Sequence, residues 1–143
     1  MAEFSKAYFE TEIREGFEVQ SMMKRAWAGQ IEVIEEIRKV CQRHNIKWFA
    51  DYGTLLGAIR HKGFIPWDDD IDIGMKRDDL QNFIKYGKDE LPEGYKILCM
   101  DLEPEYDSLI VRVVNSTSIS NDAKRMEKYH GCPYVLGIDI FPL

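Results

Sequence analysis

The chain has 143 residues, 45% of them hydrophobic, which is the size and apolar content of one domain with one core. A formal net charge of −6 and a pI near 5.1 exclude broad nucleic-acid binding, which needs a basic surface. The same acidity means that a polyphosphate ligand must be met by a metal ion or by a local basic cluster.

In chain order, residues 1–11 are mixed in character and read as partly disordered. No proline interrupts Glu12 to His44, and Gly16 and Gly29 are the only breakers. Ile31, Ile34, Ile37, Val40 and Cys41 recur at helical spacing, so the second half of this segment is expected to be an amphipathic helix, with Asn45 as its stop. Ile46 to Tyr52 reads as an aromatic strand. Gly53-Thr54 then opens a short helix, Leu55 to Arg60, which His61-Lys62-Gly63 ends. Phe64-Ile65-Pro66-Trp67 leads into an acidic strand. Arg77 to Lys88 is helical, with Leu80, Phe83 and Ile84 on one face, and Leu91-Pro92-Glu93-Gly94 is a turn. Tyr95 to Met100, Leu109 to Asn115 and Tyr134 to Phe141 are three further strands. This order, α-β-α-β-α-β-β-β, predicts a mixed α/β sheet, of α+β character, with a long N-terminal helix. The chain stops directly after its most apolar strand, which suggests a fragment of a longer protein.

Trp67-Asp68-Asp69-Asp70-Ile71-Asp72-Ile73 carries the chemistry. Apolar residues at alternate places mark a strand with one buried face, so Ile71 and Ile73 point to the core. Asp70 and Asp72 then share the other face, roughly 7 Å apart at Cα. Like charges so placed repel unless a cation lies between them, and oxygen-only ligands favour Mg²⁺ or Mn²⁺ over zinc. A calcium loop starting at Asp68 fails, because its sixth place is Ile73 where glycine is required and its twelfth is Asp79 rather than glutamate. Asp68 and Asp69 fit a solvated acidic face as well as they fit a ligand role.

Other residues could join this group. A glycine at a helix start lets a phosphate approach backbone N–H groups, and Thr54 can cap the helix or donate to a phosphoryl oxygen. Asp139 lies in the apolar run Val135 to Phe141 and needs a partner: an ion pair, or a metal shared with Asp70 and Asp72. Arg60, His61 and Lys62 either neutralise phosphate charge or form an exposed basic turn. Arg112 is a phosphate ligand or a salt bridge within the sheet. Lys124, Arg125, Lys128 and His130 form a loose basic group of the kind that is usually solvated. Most aromatics nearby are core, but Tyr52 and Trp67 could line a cage for a quaternary ammonium group.

The three cysteines, Cys41, Cys99 and Cys132, have no C-x-x-C spacing. They read as reduced packing residues rather than as zinc ligands, disulfides or nucleophiles. No apolar run approaches the roughly 20 residues that cross a bilayer, and no signal peptide is visible. The expectation is a soluble, cytoplasmic protein with no transmembrane segment.

The stretches Tyr52-Gly53-Thr54-Leu55-Leu56-Gly57-Ala58-Ile59-Arg60-His61, Gly63 to Ile73 and Ile138-Asp139-Ile140-Phe141-Pro142-Leu143 closely resemble the LicD family, which includes bacterial phosphocholine transferases and, more distantly, fukutin-related protein. The resemblance runs from about Ile31 to Leu143. It implies a nucleotidyltransferase-like fold for residues 31–143, behind an N-terminal helical extension over residues 1–30. It further implies transfer of phosphocholine from CDP-choline, or of a polyol phosphate such as ribitol phosphate from a CDP-linked donor, to a hydroxyl of teichoic acid, lipopolysaccharide or another surface glycan. By motif, Asp70 and Asp72 become the metal pair, Asp139 the third carboxylate and Asp68 an additional ligand. Gly53-Thr54 stands where many nucleotidyltransferases have Gly-Ser and keeps the hydroxyl. Two alternatives stay open: addition of a nucleoside monophosphate to a small acceptor, and nucleotide binding without turnover.

Overall fold

The computed structural model describes residues 1–143. A 3-10 turn, Lys6–Phe9, precedes a hairpin of β1 (Glu12–Arg14) and β2 (Phe17–Val19). The long helix α1 (Ser21–Arg43) is followed by β3 (Phe49–Ala50), α2 (Tyr52–Arg60), β4 (Ile71–Met75) and α3 (Arg77–Glu90). The chain continues through β5 (Lys96–Leu98), β6 (Val111–Val114), α4 (Ala123–Lys128) and β7 (Gly137–Pro142).

The sheet runs β3-β4-β7-β6-β5, with β4 and β7 parallel and the other pairs antiparallel, so the mixed α/β expectation holds. The alternation in each strand sends one set of side chains into the core. Ile71, Ile73 and Met75 of β4, Val111 and Val113 of β6, and Ile138 and Ile140 of β7 are buried together with Val33, Ile37 and Val40 of α1 and Leu80, Phe83 and Ile84 of α3. Period 2 turns the residues between them, Asp72, Arg112 and Asp139, to the opposite face.

The N-terminal thirty residues depart from the helical extension read above. The backbone of Glu15 and Gly16 has positive φ at both positions (49° and 77°), as a two-residue turn of the tight hairpin type requires, and Gly16 adopts that conformation without strain. Helix α1 therefore starts at Ser21, ten residues before Ile31, and the residue 30/31 boundary falls inside it. Residues 1–11 are anchored rather than loose. The Ala2 amide donates to Glu32 Oε1 at 2.7 Å, and the Phe4 ring meets His130 edge-on at 5.0 Å. The end of α1 is as expected, with Asn45 in the left-handed region just beyond it (φ 52°).

Other boundaries move as well, and the three later strands shorten to Lys96–Leu98, Val111–Val114 and Gly137–Pro142. Only Phe49 and Ala50 of the expected Ile46–Tyr52 strand pair with β4. Helix α2 begins at Tyr52 instead of Leu55, because Asp51 caps it by accepting from the Tyr52 N–H at 2.9 Å. The basic group at 124–130 contains the short helix α4, capped by Asp122, which accepts from the Arg125 N–H.

Candidate active site

Parallel pairing of β4 with β7 sets Asp72 beside Asp139, and antiparallel pairing of β6 with β7 sets Arg112 on the other side of Asp139. Three side chains from three strands thus form one row across the sheet. Asp70 lies one residue ahead of β4 rather than on it, yet one carboxylate oxygen from each of Asp70, Asp72 and Asp139 lies within 4.8 Å of the other two. A second group, Asp68, Asp69 and Asp70, meets the same limit, so Asp70 belongs to both.

Partial burial, with neighbouring charge added to it, raises the proton affinity of Asp68, Asp72 and Asp139. Burial pushes the Asp72 carboxyl up to about 6, and the charges of Asp70 and Asp139 add to the shift. Burial, with a hydrogen bond to Asp70, likewise brings Asp68 to about 6. Asp139 is also raised by burial, despite the opposing pull of Arg112, whose Nη1 lies 3.0 Å from Oδ1 and 3.3 Å from Oδ2. Asp139 is thus both the ion-pair partner and the cluster member that the sequence left as alternatives.

Helix α2 enters the site through its first turn. Thr54 Oγ1 accepts from the Asp72 backbone N–H at 2.8 Å, which ties the helix start to the acidic strand. The Asp51 N–H donates to the Asp72 carbonyl at 3.0 Å. A side chain at Gly53 would place its Cβ 2.3 Å from Asp68 Oδ2, so only glycine lets that carboxylate sit against the helix.

The structure brings Arg112, not Arg60, to the carboxylates. Arg60 ends the nine-residue α2, about 12 Å along the helix from Tyr52, and its Nε donates to His61 Nδ1. Tyr52 and Trp67 are each more than half exposed and have separate neighbours: Tyr52 packs on Phe141 at 4.5 Å, and Trp67 meets Phe17 and His61 edge-on at 6.3 and 6.0 Å. Beside the carboxylates, an open cleft of about 690 Å³ runs between β2, the first half of α1 and the approach to β7, with Asp69, Asp70 and Arg112 on its wall.

Residues 45–129 match the family model described as the LicD/FKTN/FKRP nucleotidyltransferase domain, which is more than half of the chain. The chain belongs to the LicD family. Over 95 residues, 66% of this chain, it is 37% identical to the lipopolysaccharide cholinephosphotransferase LicD of Haemophilus influenzae, of which it covers 36%. Over 43 residues, 30% of this chain, it is 40% identical to the human ribitol 5-phosphate transferase FKRP, of which it covers 9%. An uncharacterized Rickettsia typhi protein is 38% identical over 66 residues, 46% of this chain and 21% of that protein. The chain thus spans about a third of the length of the first of these relatives, and less of the others.

The LicD match includes the acidic run, the α2 start and Arg112, and stops before Asp139. Asp139 joins the site through strand pairing alone. Asp51 is a further residue of the site, and its signal in the sequence is an aspartate directly before Tyr52-Gly53-Thr54, a helix cap. The cleft walls have no such signal, since Phe17, Met22 and Tyr134 reach it from distant elements and carry no motif.

Proposed function

We propose that this LicD-family chain is the donor-side core of a divalent-metal-dependent phosphotransferase. It moves phosphocholine, or a related polyol phosphate, from a CDP-linked donor to a hydroxyl of a surface glycan such as lipopolysaccharide or teichoic acid. The observation that carries the reading is the convergence of Asp70, Asp72 and Asp139 within 4.8 Å, with Arg112 against Asp139. The likeness to a cholinephosphotransferase and a ribitol 5-phosphate transferase supports the same class.

The donor set suits a hard cation. All of its atoms are carboxylate oxygens, and the raised proton affinity of Asp68, Asp72 and Asp139 means that the cluster gains from any positive charge that replaces a proton. Asp70, Asp72 and Asp139, with Asp68 in addition, would hold Mg²⁺ or Mn²⁺. When bound, the ion would offset the charge of the donor's diphosphate. The chain's own residues do the rest. Arg112 adds a fixed positive charge beside the carboxylates, while Gly53 makes room for the Asp68 carboxylate and Thr54 anchors the acidic strand, so the phosphate role first read for the α2 start passes to Arg112 and the cation. The acceptor hydroxyl oxygen bonds to the head-group phosphorus as the bond to CMP breaks. Asp139 either joins the ligands of the ion or accepts the proton that this hydroxyl loses.

The direct test is product analysis with CDP-choline, Mg²⁺ and candidate glycans, and the expected products are CMP and a phosphocholine-bearing glycan. Undiminished activity in an Asp70→Ala, Asp72→Ala double variant would discard the metal assignment. The matched model's description as a nucleotidyltransferase domain favours one alternative, transfer of a nucleoside monophosphate. Release of pyrophosphate from a nucleoside triphosphate donor, with the nucleoside monophosphate found on the acceptor, identifies it.

A further inference from the structure

Residues 68–70 have no regular secondary structure, and three carboxylates in succession repel one another, so the backbone of this loop has to be held from outside. Helix α1 holds it. Trp27 and Gln30 stand one turn apart on the same helix face and are buried, at 0% and 4% exposure. Trp27 Nε1–H donates to the Asp68 carbonyl at 2.8 Å, and Gln30 Nε2–H donates to the Asp69 carbonyl at 2.7 Å. Two successive loop carbonyls thus accept from one helix face. A carbonyl can only accept, so the Gln30 amide must turn its nitrogen to the loop. The Trp27 ring is itself fixed by a parallel stack on Phe64, 4.7 Å away.

A second observation points to a ligand. Gln30 lines the cleft that Asp69 and Asp70 also line, and its Oε1 is buried without a hydrogen-bond partner. An unpaired buried acceptor is costly in a folded chain. At the wall of a cleft, a bound molecule with an O–H or N–H group, such as the water shell of a cation or a sugar hydroxyl, relieves that cost.

We infer that Trp27 and Gln30 are positioning residues, which clamp the 68–70 backbone so that the Asp70 carboxylate turns toward Asp72 and Asp139 and the Asp68 carboxylate toward Asp70. Both act on the carboxylates through the loop, and Gln30 also turns its free Oε1 toward the cleft. The inference rests on the metal reading above. It adds that cation affinity is set from α1, by residues outside the acidic motif.

Mn²⁺ titration followed by electron paramagnetic resonance tests it on the purified chain. The variants are Gln30→Met, which keeps length but not the donor, Trp27→Phe, which keeps a stacking ring but not the N–H, and Val33→Ala, a core truncation elsewhere on α1. Gln30→Met and Trp27→Phe are each expected to lose affinity roughly tenfold, as outer partners of a metal site typically do. Val33→Ala is expected to melt earlier while binding Mn²⁺ like the parent. Parent-like binding by Gln30→Met overturns the inference, and so does an equal loss in Val33→Ala. Circular dichroism verifies that each sample is folded, and if Trp27→Phe does not fold, Gln30→Met decides alone. Absence of Mn²⁺ binding by the parent chain itself overturns the metal reading, and the clamp with it.

Discussion

Asp72 sits where burial and four neighbouring carboxylates hold its proton to about pH 6, well above its ordinary value near 3.8. A carboxyl with a raised folded-state pKa binds more protons folded than unfolded between those two values. Its contribution to stability therefore falls as pH rises from about 4 to about 6. In metal-free buffer, Asp72→Asn should match the parent in melting temperature near pH 4 and exceed it by a growing margin up to pH 7. A constant difference across that range in thermal melts would contradict the strained-carboxylate reading. Gly53 is a second residue whose identity is set by this cluster. Gly53→Ala should gain up to about 1 kcal/mol of helix propensity, yet its Cβ would meet Asp68 Oδ2 at 2.3 Å. The expected outcome is a chain that melts no lower but binds Mn²⁺ less tightly, read by calorimetry. By contrast the cysteines are inert packing: all three are buried and unpaired, and burial pushes the Cys41 thiol up to about 12.

At the scale of elements, the joint between α2 and β4 matters most. Thr54 Oγ1 satisfies the Asp72 N–H, so the hydroxyl that read as a phosphate donor serves first as a backbone anchor. Thr54→Val keeps the shape and removes the acceptor. It should cost about 1–3 kcal/mol, the penalty of a stranded backbone donor, whereas Thr54→Ser should recover most of it. Equal denaturant midpoints for the two variants would refute the anchor. Elements with strong periodicity were legible beforehand: the second half of α1 from its Ile-Val spacing, α3 from Leu80, Phe83 and Ile84, and β4 from Ile71 and Ile73. The hairpin Glu12–Val19 was not, because its strands are three residues each and Glu-Gly is a weaker hairpin signal than Asn-Gly. The start of α1 was lost with it, since Lys24 and Gln30 are buried polar residues that break the apolar pattern. Lys24 is tolerated there because Nζ lies 2.7 Å from Glu12 of the hairpin, a partner no local pattern reveals.

At the scale of the whole molecule, the central fact is that β4 and β7, separated by two strands and two helices in the chain, lie side by side and parallel. Core packing on one face and carboxylates on the other are two sides of the same strands. Ile73→Ala, at a fully buried β4 position, should cost about 2–5 kcal/mol in urea unfolding and loosen the pairing that sets Asp72 against Asp139. Mg²⁺ should raise the melting temperature at pH 7, by an amount equivalent to about 2.7 kcal/mol at a hundredfold excess over Kd. The Asp70→Ala, Asp72→Ala variant should lose that gain, and an unchanged gain would place the ion elsewhere.

The amino-acid order alone determined that the chain is a mixed α/β domain, that Asp72 turns away from Ile71 and Ile73, and that it resembles the LicD family. Those features follow from periodicity and from motifs of contiguous residues, which need no knowledge of what lies across the sheet. Only the tertiary structure decided that Arg112 rather than Arg60 faces Asp139, that Gly53 makes room for Asp68, and that Trp27 and Gln30 hold the acidic loop. Each depends on strand order, register or helix docking. Free energy spread over many buried contacts sets these, and no single stretch of sequence encodes them.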